Sequence, residues 1–325
     1  MTDDSKSNLR GAGLALMAFA LFSTHDVVVK ILGAHYSSFQ IVFFSVLLSF
    51  PLVMLLLMRD TSPGTLIPVH PWWSAARTLA VMVTGVSIFY AFSVLPLAQV
   101  YAIIFTMPLL ITILSIPILG EHVGPHRWGA IAVGLVGVLV VLRPGAGNLG
   151  LGHLAAIVGA VASSFASIIV RKIGRDERNA VLLLYPMMAN FVVMGTMQGV
   201  AYRPMPVEHI GLFAIMAVLS FSAGLLTIKA YKLGDAAIVA PMQYSQMIWA
   251  AIYGAWFFRE HPDGITWAGA GLIIVSGIYI VLRESLGGIS TFKPVLQNRS
   301  RAETGTTPRL SVLNKISLGR GRSPQ

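Results

Sequence analysis

The sequence contains no cysteine, and only 11% of its 325 residues are charged. The missing cysteine excludes disulfides, thiolate nucleophiles, cysteine-ligated zinc and iron–sulfur clusters. Soluble domains carry about 25% charged residues, so this chain has too few charged residues to form the water-exposed surface of a soluble protein. Its charges fall in short clusters between long apolar runs, and the mean hydropathy is +0.75. This composition predicts an all-α protein that crosses a membrane several times.

Motifs for catalysis and nucleotide binding are also missing. The chain has no Gly-x-Ser-x-Gly elbow, no His-Glu-x-x-His zinc motif and no phosphate-binding P-loop. His122 and His126 lie four residues apart, but Gly124 and Pro125 break the helix that zinc binding at this spacing would need. We therefore predict no enzymatic activity, no cofactor, no metal site and no ATP hydrolysis through a P-loop.

Ten stretches are long and apolar enough to cross a hydrocarbon core, which needs about 20 mostly apolar residues per helix. They run over residues 12–32, 38–58, 74–95, 97–119, 127–142, 153–173, 180–201, 209–230, 235–258 and 265–282. Cytoplasmic loops retain Lys and Arg, and cytoplasmic termini put 19 of the 23 basic residues on that side. We therefore predict ten transmembrane helices with cytoplasmic termini, and we attribute the net charge of +10 to orientation rather than to nucleic-acid binding.

The two halves of the chain resemble each other. An offset of 139 residues aligns residues 90–128 with 229–267 without a gap and matches Glu121 with Glu260. Each half contains five predicted helices, and an odd number makes the second half enter the membrane from the opposite side. Inverted repeats of this kind can exchange conformations around a central site, which is typical of secondary transporters.

Domain boundaries follow from this repeat. An offset of 141 residues, with a weaker match, lays Lys30 on Arg171 near the start of each half. The polar composition after residue 283 cannot bury a core. We predict a cytoplasmic tail over 1–10, a first five-helix unit over 11–143, a second, inverted unit over 150–283, and a disordered basic cytoplasmic tail over 284–325.

The segment FYAFSVLPLAQVYAIIFTMPLLITILSIPILGE contains a short Leu-Pro-Leu-Ala link, a proline within a helix and a closing Gly-Glu. Together with the ten-helix plan, it resembles the EamA-domain branch of the drug/metabolite transporter superfamily. Glu121, Glu260, Trp128 and Trp267 fall on the pattern of that family. The resemblance implies a carrier in the bacterial inner membrane for amino acids, vitamins, nucleosides, S-adenosylmethionine or xenobiotics, without identifying the substrate.

The first predicted span contains the ionisable residues His25, Asp26 and Lys30. A charge at the bilayer centre costs about 2.5–3.5 kcal/mol on insertion scales, so we expect Asp26 to face the bundle interior. There it can bind substrate and couple a proton, together with His25, whose ordinary pKa is close to neutral pH. The alternative is a structural pair between Asp26 and Lys30, which lie one helical turn apart, with Lys30 reaching the headgroups.

The fourth and ninth spans contain Pro108 and Pro241 and the densest uncharged polar side chains. Helix breaks near the midplane are where carriers of this kind bind substrate. Interhelical hydrogen bonding is the alternative use of such side chains. The predicted substrate-binding residues are His25, Asp26, Tyr90, Gln99, Tyr101, Thr106, Asn190, Gln243, Tyr244, Gln246 and Trp249, and the predicted coupling residues are Asp26 and His25.

The inverted repeat predicts a secondary transporter that works by alternating access, and the family resemblance implies that it moves a small amino-acid-, vitamin- or nucleoside-like metabolite across the bacterial inner membrane. The driving force is expected to be a proton gradient or solute exchange. Export of hydrophobic or xenobiotic compounds and, with less support, a membrane-embedded enzyme stay open as alternatives. The expected partners are the small-molecule substrate, membrane lipids and a coupling proton, with a homodimer as a further option and no nucleic acid.

Overall fold

Every regular element in the computed structural model is helical within the residues that it describes, which are 3–58, 65–121, 123–143, 149–174, 176–234 and 236–285. The helices of the first half are α1 (Asp3–Gly33), α2 (Ser38–Leu57), α3 (Pro71–Val94), α4 (Leu97–Ile104), α5 (Met107–Leu119) and α6 (Pro125–Leu142). Those of the second half are α7 (Leu151–Ile173), α8 (Asn179–Ala201), α9 (Val207–Leu233), α10 (Ala236–Val239), α11 (Ser245–Phe258) and α12 (Gly264–Ser285). His122 and the predicted tail from residue 286 onward lie outside the described residues.

Within these ranges, nine helical stretches are long and apolar enough to cross a membrane. One of the nine, Leu97–Leu119, combines α4 and α5. The predicted ninth span, 235–258, is not among them because it is divided into α10, a 3-10 turn (Ala240–Tyr244) and α11. The other helices end within a few residues of their predicted bounds, except that α1 begins at Asp3 rather than at residue 12.

Both broken spans change their helical path at a proline. In the fourth span, Phe105 and Thr106 separate α4 from α5, and Pro108 is the second residue of α5. In the ninth span, Pro241 lies in the 3-10 turn. Proline has no backbone N–H to donate and its ring collides with the preceding turn, so an uninterrupted α-helix is unfavourable at both places. The breaks fall at corresponding places of the two halves.

The principal helix pairs each combine one helix from each half. They are α1 with α9, α3 with α7, α2 with α8, and α6 with α12. The α6–α12 contact is especially close at Gly137 and Gly269, since a Cβ atom on either glycine would lie 2.8 Å from the carbonyl oxygen of the other. α1 and α7 are the first helices of the two halves, and α3 and α9 are the third. A two-fold relation between the halves therefore converts the α1–α9 pair into the α3–α7 pair. Inside the bundle, α11 contacts both α1 and α4.

Candidate substrate and coupling site

Asp26 lies in α1 with only 1% of its surface exposed. One carboxylate oxygen lies 2.8 Å from Nδ1 of His25, and the other accepts a hydrogen bond from the Tyr101 hydroxyl. A carboxylate can only accept hydrogen bonds, so with Asp26 ionised the proton of the His25 ring is on Nδ1. Both oxygens of this buried acid are therefore satisfied by side chains.

Tyr101 extends the network into the second half of the chain. Its hydroxyl oxygen lies 3.4 Å from Oγ of Ser23 and accepts a hydrogen bond of 3.4 Å from Nε2 of Gln246. Ser23, Tyr101 and Gln246 are each at most 3% exposed. Because Ser23 and Tyr101 belong to the first half and Gln246 belongs to α11, the network joins the two halves.

Aromatic rings line one side of this network. Ring centroids are 5.5 Å apart for Phe92 and Tyr101, 6.0 Å for Tyr101 and Phe105, and 5.0 Å for Phe105 and Tyr244. Phe105 lies at the break in the fourth span and Tyr244 ends the 3-10 turn of the ninth, so the two breaks meet at these rings. The Tyr244 hydroxyl packs so closely on Gly277 that a Cβ atom there would lie 1.9 Å from it.

Lys30 does not pair with Asp26, and the structural-pair alternative is wrong. Its ammonium group lies 2.6 Å from the carboxylate of Glu260 and donates to the backbone oxygen of Leu95. The oxygens of Asp26 are already bonded to His25 and Tyr101, whereas Glu260 follows α11 at the same end of the bundle as Lys30. Lys30 is 9% exposed, so its side chain is largely buried within the protein.

Other predicted site residues lie apart from this network. Gln99 lines a cavity of about 310 Å³ together with Glu260 and Asp263 at the end of the bundle. Thr106 donates its hydroxyl proton to the backbone oxygen of Ile103, at 2.6 Å, inside the helix break. Asn190 is fully buried in α8, and its amide has no hydrogen-bond partner among the described residues.

The remaining members of the predicted set contact different neighbours. Trp249 stacks on Tyr253 with ring centroids 5.8 Å apart, on a part of α11 where the Tyr253 hydroxyl lies 3.1 Å from Oγ1 of Thr24. Gln243 is buried within the 3-10 turn, and Tyr90 is half-buried in α3. The structure thus brings His25, Asp26, Tyr101 and Gln246 into one network, with Tyr244 at the adjoining aromatic wall.

Ser23 belongs to the network but was not among the predicted residues. A lone serine in an apolar helix commonly bonds its own backbone, so the sequence offered no reason to select it. Arg77 is likewise 2% exposed and donates to the backbone oxygen of Leu182. Arg77 was not among the predicted residues either, because a basic residue near the start of a membrane helix is also explained by orientation.

An ion pair outside the membrane spans joins the halves at the cavity that Gln99 lines. The carboxylate of Asp263 accepts hydrogen bonds from the Arg143 guanidinium and from the hydroxyl and backbone N–H of Thr266, the latter two at 2.7 and 3.0 Å. Arg143 and, after it, Thr266 hold the pKa of Asp263 well below its usual range.

Relatives with described activities cover most of this chain. The S-adenosylmethionine uptake transporter of Rickettsia bellii is 28% identical over 284 residues, which are 87% of this chain and 97% of the relative. The riboflavin transporter of Rhizobium johnstonii is 27% identical over 66% of this chain and 72% of its own length. The pseudopaline exporter CntI of Pseudomonas aeruginosa is 25% identical over 82% of this chain and 94% of its own length.

A solved crystal structure has the same fold, with a TM-score of 0.56 and 18% identity, and the similarity covers 87% of this chain and 99% of the other. The model of the EamA-like transporter family matches residues 9–143 and 150–283, one match in each half. These matches confirm the resemblance found in the sequence, and the long apolar helices agree with them. The chain belongs to the EamA-like transporter family and is a multi-pass protein of the bacterial inner membrane.

Proposed function

We propose that the protein is a secondary transporter that carries a small organic metabolite by alternating access between two inverted halves. The observation that carries this proposal is the buried Asp26 network, which joins both halves beside the point where two helix breaks meet. A buried carboxylate is costly in a membrane helix and marks a functional site by default. The missing catalytic and P-loop motifs favour carriage over chemistry and a solute gradient over ATP.

The proposal includes ten membrane crossings with both termini in the cytoplasm. Near the start of α1, a Cβ atom on Gly11 would lie 2.7 Å from Gly234, the residue that follows α9. Near the end of α1, Lys30 contacts Glu260, which follows α11. The 19 residue-to-residue steps from Gly11 to Lys30 span about 28 Å of helix. The broken segment from α10 to α11 covers the same distance, which supports a tenth crossing.

The substrate that we propose is a polar metabolite of amino-acid, vitamin or nucleoside type. The relatives are named for S-adenosylmethionine, riboflavin and pseudopaline, and the first two are polar organic molecules with several hydrogen-bonding groups. Asp26, Tyr101 and Gln246 offer a carboxylate, a hydroxyl and an amide, and the neighbouring rings can stack on a planar group. Because the relatives include both uptake and export proteins, neither direction is preferred.

Coupling is proposed to occur at the Asp26–His25 pair. A carboxylate and an imidazole in hydrogen-bond contact can hold a proton in the interior of a membrane protein. Substrate that binds through Tyr101 or Gln246 would change the bonding of Asp26, because Tyr101 donates to that carboxylate. Solute exchange without a proton is the alternative.

A thermal-stability screen of the purified protein tests the proposed substrate class. Amino acids, vitamins, nucleosides and S-adenosylmethionine are added at pH 5.5 and 7.5. A ligand at 100 times its dissociation constant stabilises the folded protein by about 2.7 kcal/mol. We expect a pH-sensitive rise in melting temperature that Asp26→Asn removes, whereas Glu208→Gln, an exposed acid at the start of α9, retains it.

An absence of hits across this panel would contradict the polar-metabolite proposal. Efflux of hydrophobic compounds from whole cells would then test the second candidate, the exporter. A hit that is converted into another compound would instead support an enzyme.

A further inference from the structure

Two ion pairs lie at opposite ends of the helix bundle and correspond to each other in the repeat. Lys30 pairs with Glu260 at a nitrogen–oxygen distance of 2.6 Å, and Arg171 pairs with Glu121 at 2.5 Å. The repeat relates Lys30 to Arg171 and Glu260 to Glu121. The two pairs are therefore equivalent contacts made twice in one chain.

Each pair also connects the two halves in the same crossed manner. Lys30 is in the last turn of α1, the first helix of the first half, and Glu260 follows the fourth span of the second half. Arg171 is in the last turn of α7, the first helix of the second half, and Glu121 follows the fourth span of the first half. Neither contact can persist if its two partner helices separate at that end.

Both pairs are accompanied by hydrogen bonds to the backbone at the ends of the fourth span, which runs from α4 to α5. Lys30 donates to the carbonyl of Leu95. The second carboxylate oxygen of Glu260, which is not the one nearest Lys30, accepts a hydrogen bond of 3.1 Å from the backbone N–H of Leu97. At the other end, Lys172, the neighbour of Arg171, donates to the carbonyl of Ile118 at 2.9 Å. The first helix of each half is thus tied to one end of the fourth span, at Leu95–Leu97 for α1 and at Ile118 for α7.

The pairs are largely shielded from water. The side chains of Arg171 and Glu121 are 7% and 4% exposed, and those of Lys30 and Glu260 are 10% and 22% exposed. Glu260 also lines the end cavity of about 310 Å³ that contains Gln99. A buried ion pair adds little net stability, because its attraction is offset by the loss of hydration. Two such pairs at equivalent places call for an explanation other than stability.

We propose that Lys30–Glu260 and Arg171–Glu121 are the two gates of the transporter, each closing one end of the central site. This inference rests on the proposed function. Both gates are closed in this structure, so it corresponds to an occluded state. Breaking the Lys30–Glu260 pair opens the site toward the exterior, and breaking the Arg171–Glu121 pair opens it toward the cytoplasm. Because the halves are equivalent, one movement carried out in either half produces both open states.

The absence of native cysteine allows the gates to be tested by labelling. Thr106→Cys places a reporter at the buried break of the fourth span, where Thr106 is 5% exposed. Its labelling rate with a membrane-impermeant maleimide is measured in right-side-out and inside-out vesicles. The reporter is combined with Glu260→Gln, with Glu121→Gln, or with Asp263→Asn as a matched control.

Glu260→Gln is expected to raise labelling several-fold from the exterior only, and Glu121→Gln from the cytoplasmic side only. Asp263→Asn should leave labelling unchanged, because the Arg143–Asp263 pair is exposed and joins loops beside the closely packed α6 and α12. The charge exchange of Lys30→Glu with Glu260→Lys should return labelling toward the level of the reporter alone, which shows that the pair matters and not the acid by itself.

Equal labelling from both sides in the two gate variants, at unchanged melting temperature, would overturn the proposal and leave both pairs as static contacts. Opposite effects with the two sides exchanged would still support two gates and would contradict the proposed orientation. Labelling requires no substrate and no flux. A failure of the metabolite proposal therefore leaves this result unaffected, and the two inferences can fail separately.

Discussion

Asp26 shows how a charged residue can be accommodated within an apolar helix. Burying an unpaired carboxylate would cost far more than the bundle gains from any single apolar contact. Both oxygens of Asp26 are bonded, one to its chain neighbour His25 and one to Tyr101 on another helix. The acid therefore depends on the position of α4, and a movement of α4 changes the surroundings of the acid directly.

Asp263 provides a pH-dependent prediction outside the membrane. Its lowered pKa keeps it ionised in the folded state at pH values where the unfolded chain, with an aspartate pKa of about 3.9, takes up a proton. Its stabilising effect is therefore present above about pH 4 and is lost as the pH falls toward the lowered value. We expect Asp263→Asn to reduce the melting temperature slightly at pH 7, with a smaller difference below pH 4.

Melting curves of the variant and of the parent protein across this pH range measure the effect. Glu208→Gln, which removes an exposed carboxylate at the start of α9, serves as the control. A difference that stays constant down to the lowest pH would contradict the assignment of this stabilisation to the ionised carboxylate.

Burial was predictable from the sequence where the polarity of a side chain contradicts its surroundings, whereas a role of these side chains in transport stays a prediction. Asp26, His25, Tyr101 and Gln246 are polar groups inside apolar spans, and the membrane environment alone requires them to face inward. The partner of Lys30 could not be predicted in this way. Asp26 is nearer in the chain, but Glu260 is brought to Lys30 by the packing of the two halves, which no local pattern describes.

At the level of helices, the two broken spans distinguish this bundle from a set of plain transmembrane helices. The breaks at Phe105–Thr106 and at the 3-10 turn around Pro241 touch through Phe105 and Tyr244. The prolines made these breaks predictable. Their exact form, two residues in one case and a full 3-10 turn in the other, depends on tertiary contacts such as that between Tyr244 and Gly277.

Replacing Pro241 tests the importance of a break. Pro241→Ala restores a backbone donor and removes the ring, which favours one continuous helix from α10 to α11. We expect an unchanged or higher melting temperature and a strong loss of substrate flux. Pro186→Ala is the control, because Pro186 lies inside the unbroken α8. Full flux in Pro241→Ala would show that the break is not needed.

The close contact of α6 and α12 gives a second prediction at this level. A Cβ atom on Gly137 would lie 2.8 Å from the backbone oxygen of Gly269, whereas one on Gly129, also in α6, would have no atom within 4 Å. Overpacking of a tight contact typically costs about 1–3 kcal/mol. We expect Gly137→Ala to lower the melting temperature and Gly129→Ala to leave it unchanged or raise it. Equal effects of the two substitutions would contradict the close approach.

For the whole molecule, the proposed orientation rests on where the basic residues lie. Fusion of a reporter domain to the C-terminus tests it, with an alkaline phosphatase that is active only outside the cytoplasm and a fluorescent protein that matures only inside. We expect fluorescence and no phosphatase activity at the C-terminus, and phosphatase activity for a fusion after Pro206, between α8 and α9. Phosphatase activity at the C-terminus would contradict ten crossings with cytoplasmic termini.

The whole-molecule plan was more predictable from the sequence than the site. Hydropathy and the repeat offsets require no knowledge of side-chain packing, and they anticipated the helix bounds apart from the start of α1 and the division of the fourth and ninth spans. The family was anticipated by the resemblance of the segment around the Leu-Pro-Leu-Ala link. The site residues were predicted as one set, but the structure divides them between the Asp26 network, the end cavity of Gln99 and the separate burial of Asn190 in α8. Such a division depends on which helix faces meet.

The most direct measurement is proton-coupled flux through purified protein in liposomes, with the ligand found in the stability screen as the substrate. An imposed pH gradient should drive accumulation of that ligand by the parent protein and by Glu208→Gln. Asp26→Asn, folded with an unchanged melting temperature, should show no gradient-driven accumulation, because it lacks the buried carboxylate that we propose as the coupling group. Gradient-driven flux at the parental rate in Asp26→Asn would contradict coupling through the first helix.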